Sequence, residues 1–287
     1  MNVCDRNEMR ALLDRHGFHF SKAKGQNFLA AAWVPQEIAL QAGVDSDCGV
    51  LEIGPGIGSL TQQLCRHAKK VVAIEVDTTL KPVLAETMAE FDNLEILWQD
   101  ALKTDLPALV REKFAGLRPM ACANLPYYIT SPILAALLEA RCFASVTTMV
   151  QKEVALRICA EAGSADYSAF TVFCQYYARP RLLFDVPAGC FVPQPKVTSA
   201  VLQLVMRDQP PCEILDEALF FRVVKASFAQ RRKMLTNGLC ASFSQFSKAE
   251  MADILESCGF DASIRGEKLD IAGFAAIANQ LFRRLHP

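Results

Sequence analysis

Asn124-Leu125-Pro126-Tyr127 places an oxygen that can accept from an exocyclic amine beside an aromatic ring that can hold a planar base. The Asn124 side-chain oxygen can take one N–H, and the carbonyl of Leu125 or Pro126 can take another. Two acceptors set out of the ring plane would favour a pyramidal amino nitrogen, whose lone pair is otherwise delocalised, and aim it at an electrophilic carbon. Tyr127 would stack on the base, a contact worth about 1–3 kcal/mol. This pattern points to chemistry on a nucleobase. Two half-buried aromatics near a helix start would also account for Tyr127-Tyr128, but would leave the Asn-x-Pro order directly after a strand unexplained.

A second motif, Leu51-Glu52-Ile53-Gly54-Pro55-Gly56-Ile57-Gly58, lies between an expected strand and an expected helix. Missing side chains at Gly54 and Gly56 let the backbone turn tightly and approach a ligand, while the following helix offers unpaired N–H groups. Pro55 removes one donor and stiffens the turn, which suits a loop that need not wrap a pyrophosphate. Glu75, ending the next strand, can accept two ribose hydroxyls. Asp100, after a third strand, can accept from an adenine amine while the Ala101 backbone donates. The same glycines also suit a plain tight turn, and each acid a solvated strand end or a helix cap. Glu75 alone does not separate a nicotinamide cofactor from S-adenosylmethionine. No metal is required where the leaving group is a neutral thioether.

Further along, Phe191-Val192-Pro193-Gln194-Pro195-Lys196-Val197 reads as a rigid loop with one aromatic and one cation. Phe191 can cover the second face of a target base or pack into the core, and Lys196 can meet backbone phosphate. Arg222, Lys225, Arg231, Arg232 and Lys233 concentrate positive charge on two expected helices, where a solvated face would mix signs more evenly. An RNA contact is the favoured reading of these five.

These groups need a scaffold that brings strand ends together. Apolar runs at 49–53, 71–74, 94–98, 119–123 and 146–150 read as strands, with helices expected at 59–67 and 80–90. Strands separated by helices imply a mostly parallel sheet covered on both faces, with ligands beyond the carboxyl ends. Residues 176–211 read as the closing strands, with a strand at 197–205, and Pro210-Pro211 as a linker. Helices are expected at 8–15, 30–42, 215–228, 230–239, 249–258 and 271–285, with a polar segment at 21–26. The expected organisation is an extension over 1–20, a catalytic α/β domain over 21–209 and a small helical domain over 210–287.

Thirty basic against 31 acidic residues give a net charge near -1, so only a local surface could attract a polyanion. Eleven scattered cysteines without a C-x-x-C pair fit a reducing cytosol. Residues 1–20 lack the apolar core of a signal peptide, and no apolar run reaches the length needed to span a bilayer.

Taken together, the motifs closely resemble the small-subunit ribosomal RNA adenine dimethyltransferase family. The resemblance rests on Gly25-Gln26-Asn27-Phe28-Leu29, the glycine motif through Thr61, Glu75, Gln99-Asp100-Ala101 and Asn124 to Ile129. It continues through Met149 to Val154, Phe191 to Val201 and Phe228-x-x-Arg231-Arg232-Lys233-x-Leu235. It implies a Rossmann-like S-adenosylmethionine-dependent methyltransferase fold with a seven-stranded sheet and a C-terminal helical domain that docks on ribosomal RNA. It also implies transfer of methyl groups from S-adenosylmethionine to N6 of two adjacent adenines in the 3'-terminal hairpin loop of 16S rRNA, four transfers in all, late in small-subunit assembly. By this resemblance Asn27, Leu29, Gly54, Gly56, Glu75, Asp100, Ala101 and Asn124 hold the cofactor, and residues 26–29 close over the methyl donor. Asn124, Pro126 and Tyr127 place the base, with Phe191 as its second stacking partner. A cytoplasmic monomer acting on an immature small subunit is expected. A macrolide-resistance enzyme acting on 23S rRNA, an assembly factor acting mainly by binding RNA, and a nicotinamide-dependent oxidoreductase are the competing readings.

Overall fold

The apolar runs become strands whose ends line up at one edge. In chain order the elements of the first part are α1 (Arg6–Arg15), β1 (Phe28–Leu29), α2 (Trp33–Ala42), β2 (Cys48–Ile53), α3 (Ser59–His67), β3 (Lys70–Glu75), α4 (Lys81–Thr87), β4 (Leu94–Trp98), α5 (Leu106–Lys113), β5 (Arg118–Asn124), α6 (Thr130–Glu139) and β6 (Ser145–Gln151). Then come α7 (Lys152–Ile158), α8 (Ala169–Tyr177), β7 (Ala178–Val186), β8 (Phe191–Val192), β9 (Ser199–Met206), α9 (Glu217–Ala229), α10 (Leu235–Ser242), α11 (Lys248–Ser257) and α12 (Ile271–Leu285). The computed structural model describes residues 1–18, 20 and 25–286; most of the polar segment read at 21–26 lies outside them.

Seven strands form one sheet in the order β4-β3-β2-β5-β6-β9-β7. The five from β4 to β6 run parallel, and β9 is antiparallel to β6. Strands β2 and β6 have almost no exposed residue on either face, as expected of a sheet covered by helices on both sides. The register pairs Ile53 with Ile74 and with Ala123, so Gly54, Glu75 and Asn124 leave the sheet at the same level. From β2 the chain winds outward through β3 and β4, then crosses back to β5 and β6. The strand order therefore reverses between β2 and β5, and a crevice opens there.

The chain divides into two compact units: Met1–Ala155 with Pro180–Met206, and Leu156–Arg179 with Arg207–Pro287. Residues 156–179, expected in the catalytic domain, cluster instead with the C-terminal helices. The hydroxyls of Tyr176 and Tyr177 both donate to the Glu217 carboxylate, at 2.9 and 2.8 Å, and the Phe173 and Phe221 rings lie 5.5 Å apart. Residues 1–18 belong to the first unit, where α1 buries Met9, Leu12 and Leu13.

Several elements differ from the expected ones. The helix expected from residue 30 starts at Trp33, and the Ala30 N–H before it donates to the Cys190 carbonyl at 2.7 Å. β1 and β8 form a separate two-stranded ribbon, pairing Phe28 with Val192 and Leu29 with Phe191. Two residues are too few to show an alternating pattern. The helix expected at 230–239 begins only at Leu235, after a turn closed by the Lys233 N–H on the Gln230 carbonyl at 2.9 Å.

Candidate cofactor and base site

A cleft with about 1150 Å³ of empty space, its open mouth included, lies at the carboxyl edge of the sheet. Its walls include residues 25–29, 52–57, 74–77, 99–101 and 124–129, together with Leu80 and Phe191. The eight residues expected to hold a cofactor all line it, as do Pro126 and Tyr127. Lys196 does not; it is exposed on the loop between β8 and β9.

The glycine turn is shaped by backbone that other residues rarely adopt. Gly54 and Gly56 have φ of +72° and +59°. A Cβ on Gly56 would lie 3.1 Å from the Phe28 ring, so a side chain there would push that ring away from the turn.

Next to the turn, Glu75 is buried and accepts the Asp77 N–H at 2.7 Å. Burial raises its pKa, and backbone N–H groups of Asp77, Gly56 and Val76 oppose the rise. Asp77 in turn accepts from the Gln26 side chain at 2.8 Å, which ties residues 25–29 to the end of β3. Asp100 caps the turn that follows β4, accepting the Leu102 N–H at 2.9 Å through one oxygen. The bland role as a cap is therefore realised, while the residue still faces the cleft.

At the end of β5, the Asn124 side-chain nitrogen donates to the Asn27 carbonyl at 3.4 Å, and the Asn27 side chain donates to the Gly25 carbonyl at 3.1 Å. Tyr127 is half-buried, and its hydroxyl shares a 2.6 Å hydrogen bond with Ser199. Burial raises its pKa, so the phenol stays neutral. Phe191 lines the cleft while being only 1% exposed and part of the core. Its pairing with Leu29 holds it in the wall.

Glu52 was not singled out by residue type, although an acid inside the apolar run Val50 to Ile53 was the signal. It is 1% exposed, lines the cleft, and its Oε2 has no hydrogen-bond partner among the described residues. Burial pushes its carboxyl up to about 8, with the Glu75 charge adding to the rise. Asp77 and Ser199 were also missed as bonding partners, because the Gln26–Asp77 and Tyr127–Ser199 bonds join residues distant in sequence.

In the second unit, Arg222, Lys225, Arg231, Arg232 and Lys233 are all exposed, yet two of these five have internal partners. Arg222 donates to the Ser242 carbonyl and lies over the Phe243 ring at 4.3 Å. Arg231 donates to the Ala165 carbonyl at 2.9 Å and pairs with Glu267 at 3.6 Å. Arg231, Arg232 and Lys233 sit in the turn before α10 and not on a helix. Lys225 is on α9. Among the described residues no helix is long and apolar enough to cross a membrane.

Comparison with known proteins agrees with this geometry. The chain is 46% identical over 276 residues to ribosomal RNA small subunit methyltransferase A of Geobacillus thermodenitrificans, covering 95% of this chain and 94% of the relative. It is 45% identical over 285 residues to the protein of that name in Streptococcus agalactiae, covering 98% of each. Among solved structures, a dimethyladenosine transferase from Plasmodium falciparum superposes with a TM-score of 0.76 at 26% identity, covering 90% of this chain and 98% of that one. The 23S rRNA methyltransferase ErmE gives 0.69 at 25% identity, covering 89% and 99%. The fold and these likenesses make the chain an S-adenosylmethionine-dependent methyltransferase. The profile of one family, described as ribosomal RNA adenine dimethylase, matches residues 17–278, and the chain belongs to that family.

Proposed function

We propose that this enzyme transfers methyl groups from S-adenosyl-L-methionine to N6 of two adjacent adenosines in the 3'-terminal hairpin loop of 16S rRNA, giving N6,N6-dimethyladenosines late in small-subunit biogenesis. The observation that carries the reading is Asn124. Its nitrogen is engaged by the Asn27 carbonyl, which leaves its oxygen as an acceptor at a cleft shared with Gly54, Glu75 and Asp100.

The donor set of the cleft fits the cofactor. Glu75 would accept the ribose hydroxyls, Asp100 and the Ala101 backbone would read the adenine, and Asn27, Leu29, Gly54 and Gly56 would line the methionine side. When bound, S-adenosylmethionine supplies an electrophilic methyl group and departs as a neutral thioether. The chain's own task is positioning. Asn124 Oδ1 and a carbonyl of residues 125–126 would accept the two amine hydrogens of the target adenine and direct its lone pair, and Tyr127 would hold the ring. No residue need act as a strong base, because the methylated amine is highly acidic before it loses its proton.

Lys196, Lys225, Arg232 and Lys233, with the partly engaged Arg222 and Arg231, would meet phosphates of the RNA. The enzyme would work as a cytoplasmic monomer on an immature particle. The higher identity to the small-subunit methyltransferases than to ErmE favours 16S over 23S rRNA. Incubation with labelled S-adenosylmethionine and each ribosomal subunit from cells lacking the modification tests this. Label in dimethyladenosine near the small-subunit 3' end is expected; label in the large subunit, or none in either, would reject it.

A further inference from the structure

The helix α1 lies before the residues that the family profile matches, yet it packs on the walls of the cleft. Its buried residues Met9, Leu12 and Leu13 share one apolar cluster with Phe28, Ile57 and Leu80, all three of which line the cleft. Phe18, just after the helix, brings its ring to 5.8 Å from that of Phe28. Phe28 is the residue that a side chain on Gly56 would strike, so it sits directly against the glycine turn.

Both ends of α1 are also tied down. Arg6 donates to the Gly189 carbonyl at 2.5 Å, two residues before Phe191, whose strand pairs with Leu29. At the other end Arg15 and His16 both engage Glu86 on α4. Helix α1 thus contacts the turn that leads into β8, whose partner strand carries residues 28–29, and the helix that follows Glu75, while none of its own residues lines the cleft.

We propose that residues 3–18 are a positioning element of the cofactor site, holding Phe28 against the glycine turn so that residues 25–29 stand closed over the cleft before the methyl donor arrives. This rests on the methyltransferase reading above. The physical consequence is a population effect: a ligand's apparent dissociation constant is its intrinsic value divided by the fraction of molecules already in the competent state. If loosening α1 lowers that fraction to one-fifth, affinity falls about five-fold while every group that meets the ligand stays the same.

The test uses the full-length protein, with S-adenosylhomocysteine as the probe in calorimetry and amide exchange at Leu29 and Ala30 measured without ligand. Leu12→Ala and Arg6→Ala are compared with Leu204→Ala, a core truncation in β9 away from the cleft. Leu12→Ala is expected to weaken binding about five-fold or more and to speed exchange at Ala30, with Arg6→Ala giving a smaller change of the same sign. Leu204→Ala should lower the melting temperature and leave both readouts unchanged. Unchanged affinity in the two α1 variants would overturn the proposal, as would equal weakening by Leu204→Ala. If Leu12→Ala does not fold, Arg6→Ala decides alone, since Arg6 is exposed. Failure of the unmodified protein to bind the probe would instead reject the methyltransferase reading, and the proposal with it.

Discussion

Asn124 and Asn27, 97 residues apart in sequence, meet across the cleft, the side-chain nitrogen of the first donating to the backbone carbonyl of the second at 3.4 Å. This bond fixes which end of the Asn124 amide is free to accept. Asn124→Ala should therefore lower kcat by about 10²–10³, the usual cost of losing one group aimed at the reacting atoms, and leave KM for the RNA nearly unchanged. Steady-state kinetics on purified small subunits checks it. A rise in KM at constant kcat would contradict the assignment.

Tyr127 joins two roles that substitution can separate. Tyr127→Phe keeps the ring and removes the hydroxyl that bonds Ser199, so stability should fall by about 0.5–1.5 kcal/mol, with little effect on turnover. Tyr127→Ala removes the ring, and transition-state stabilisation should drop by about 1–3 kcal/mol, read as kcat/KM. Equal turnover losses in both variants would show that the hydroxyl, and not the ring, matters.

Glu52 gives a prediction about pH. Its folded carboxyl titrates at about 8, whereas in the unfolded chain it titrates at about 4.3. Between these values only the folded state holds the proton, so stability falls with rising pH by up to about 1.4 kcal/mol per unit and levels off above the folded value. Glu52→Gln should remove that dependence and be the more stable protein at pH 9. Chemical denaturation at pH 5, 7 and 9 decides it; parallel curves for the two proteins would contradict the buried neutral carboxyl.

The motifs that line the cleft were legible in sequence because each is a local run. Asn124-Leu125-Pro126-Tyr127 and residues 54–58 each follow an apolar run, and the parallel register carries them to one edge as the pattern implied. Phe191 was ambiguous by type, since an aromatic suits a base or a core equally; only its pairing with Leu29 places it in the wall. The assignment of residues 156–179 to the C-terminal unit was not legible, because it depends on Tyr176 and Tyr177 meeting Glu217 some 40 residues later. The turn at 230–234 was hidden for a different reason. Its residues carry no glycine or proline, so nothing in their types marks the turn that the Lys233 N–H closes on the Gln230 carbonyl.

The basic residues divide by their partners. Reversing the charge of Arg232 and Lys233 should weaken binding to immature small subunits and reduce the slope of log K against log salt by about 0.7–0.9 for each phosphate no longer neutralised. Arg222→Ala should instead act mainly on stability, because its guanidinium bonds the Ser242 carbonyl and covers Phe243. Salt titrations and thermal melts on the same variants separate the two effects. A salt slope unchanged by reversing Arg232 and Lys233 would remove them from the RNA surface.

The distance from Asn124 Oδ1 to the target N6 tests the central claim most directly. It can be measured in a crystal of the enzyme with the 16S hairpin and a non-reactive methyl-donor analogue. A hydrogen-bond distance of about 3 Å, with the adenine stacked on Tyr127, is expected. An adenine amine outside hydrogen-bond reach of Asn124, with the analogue seated in the cleft, would contradict the account.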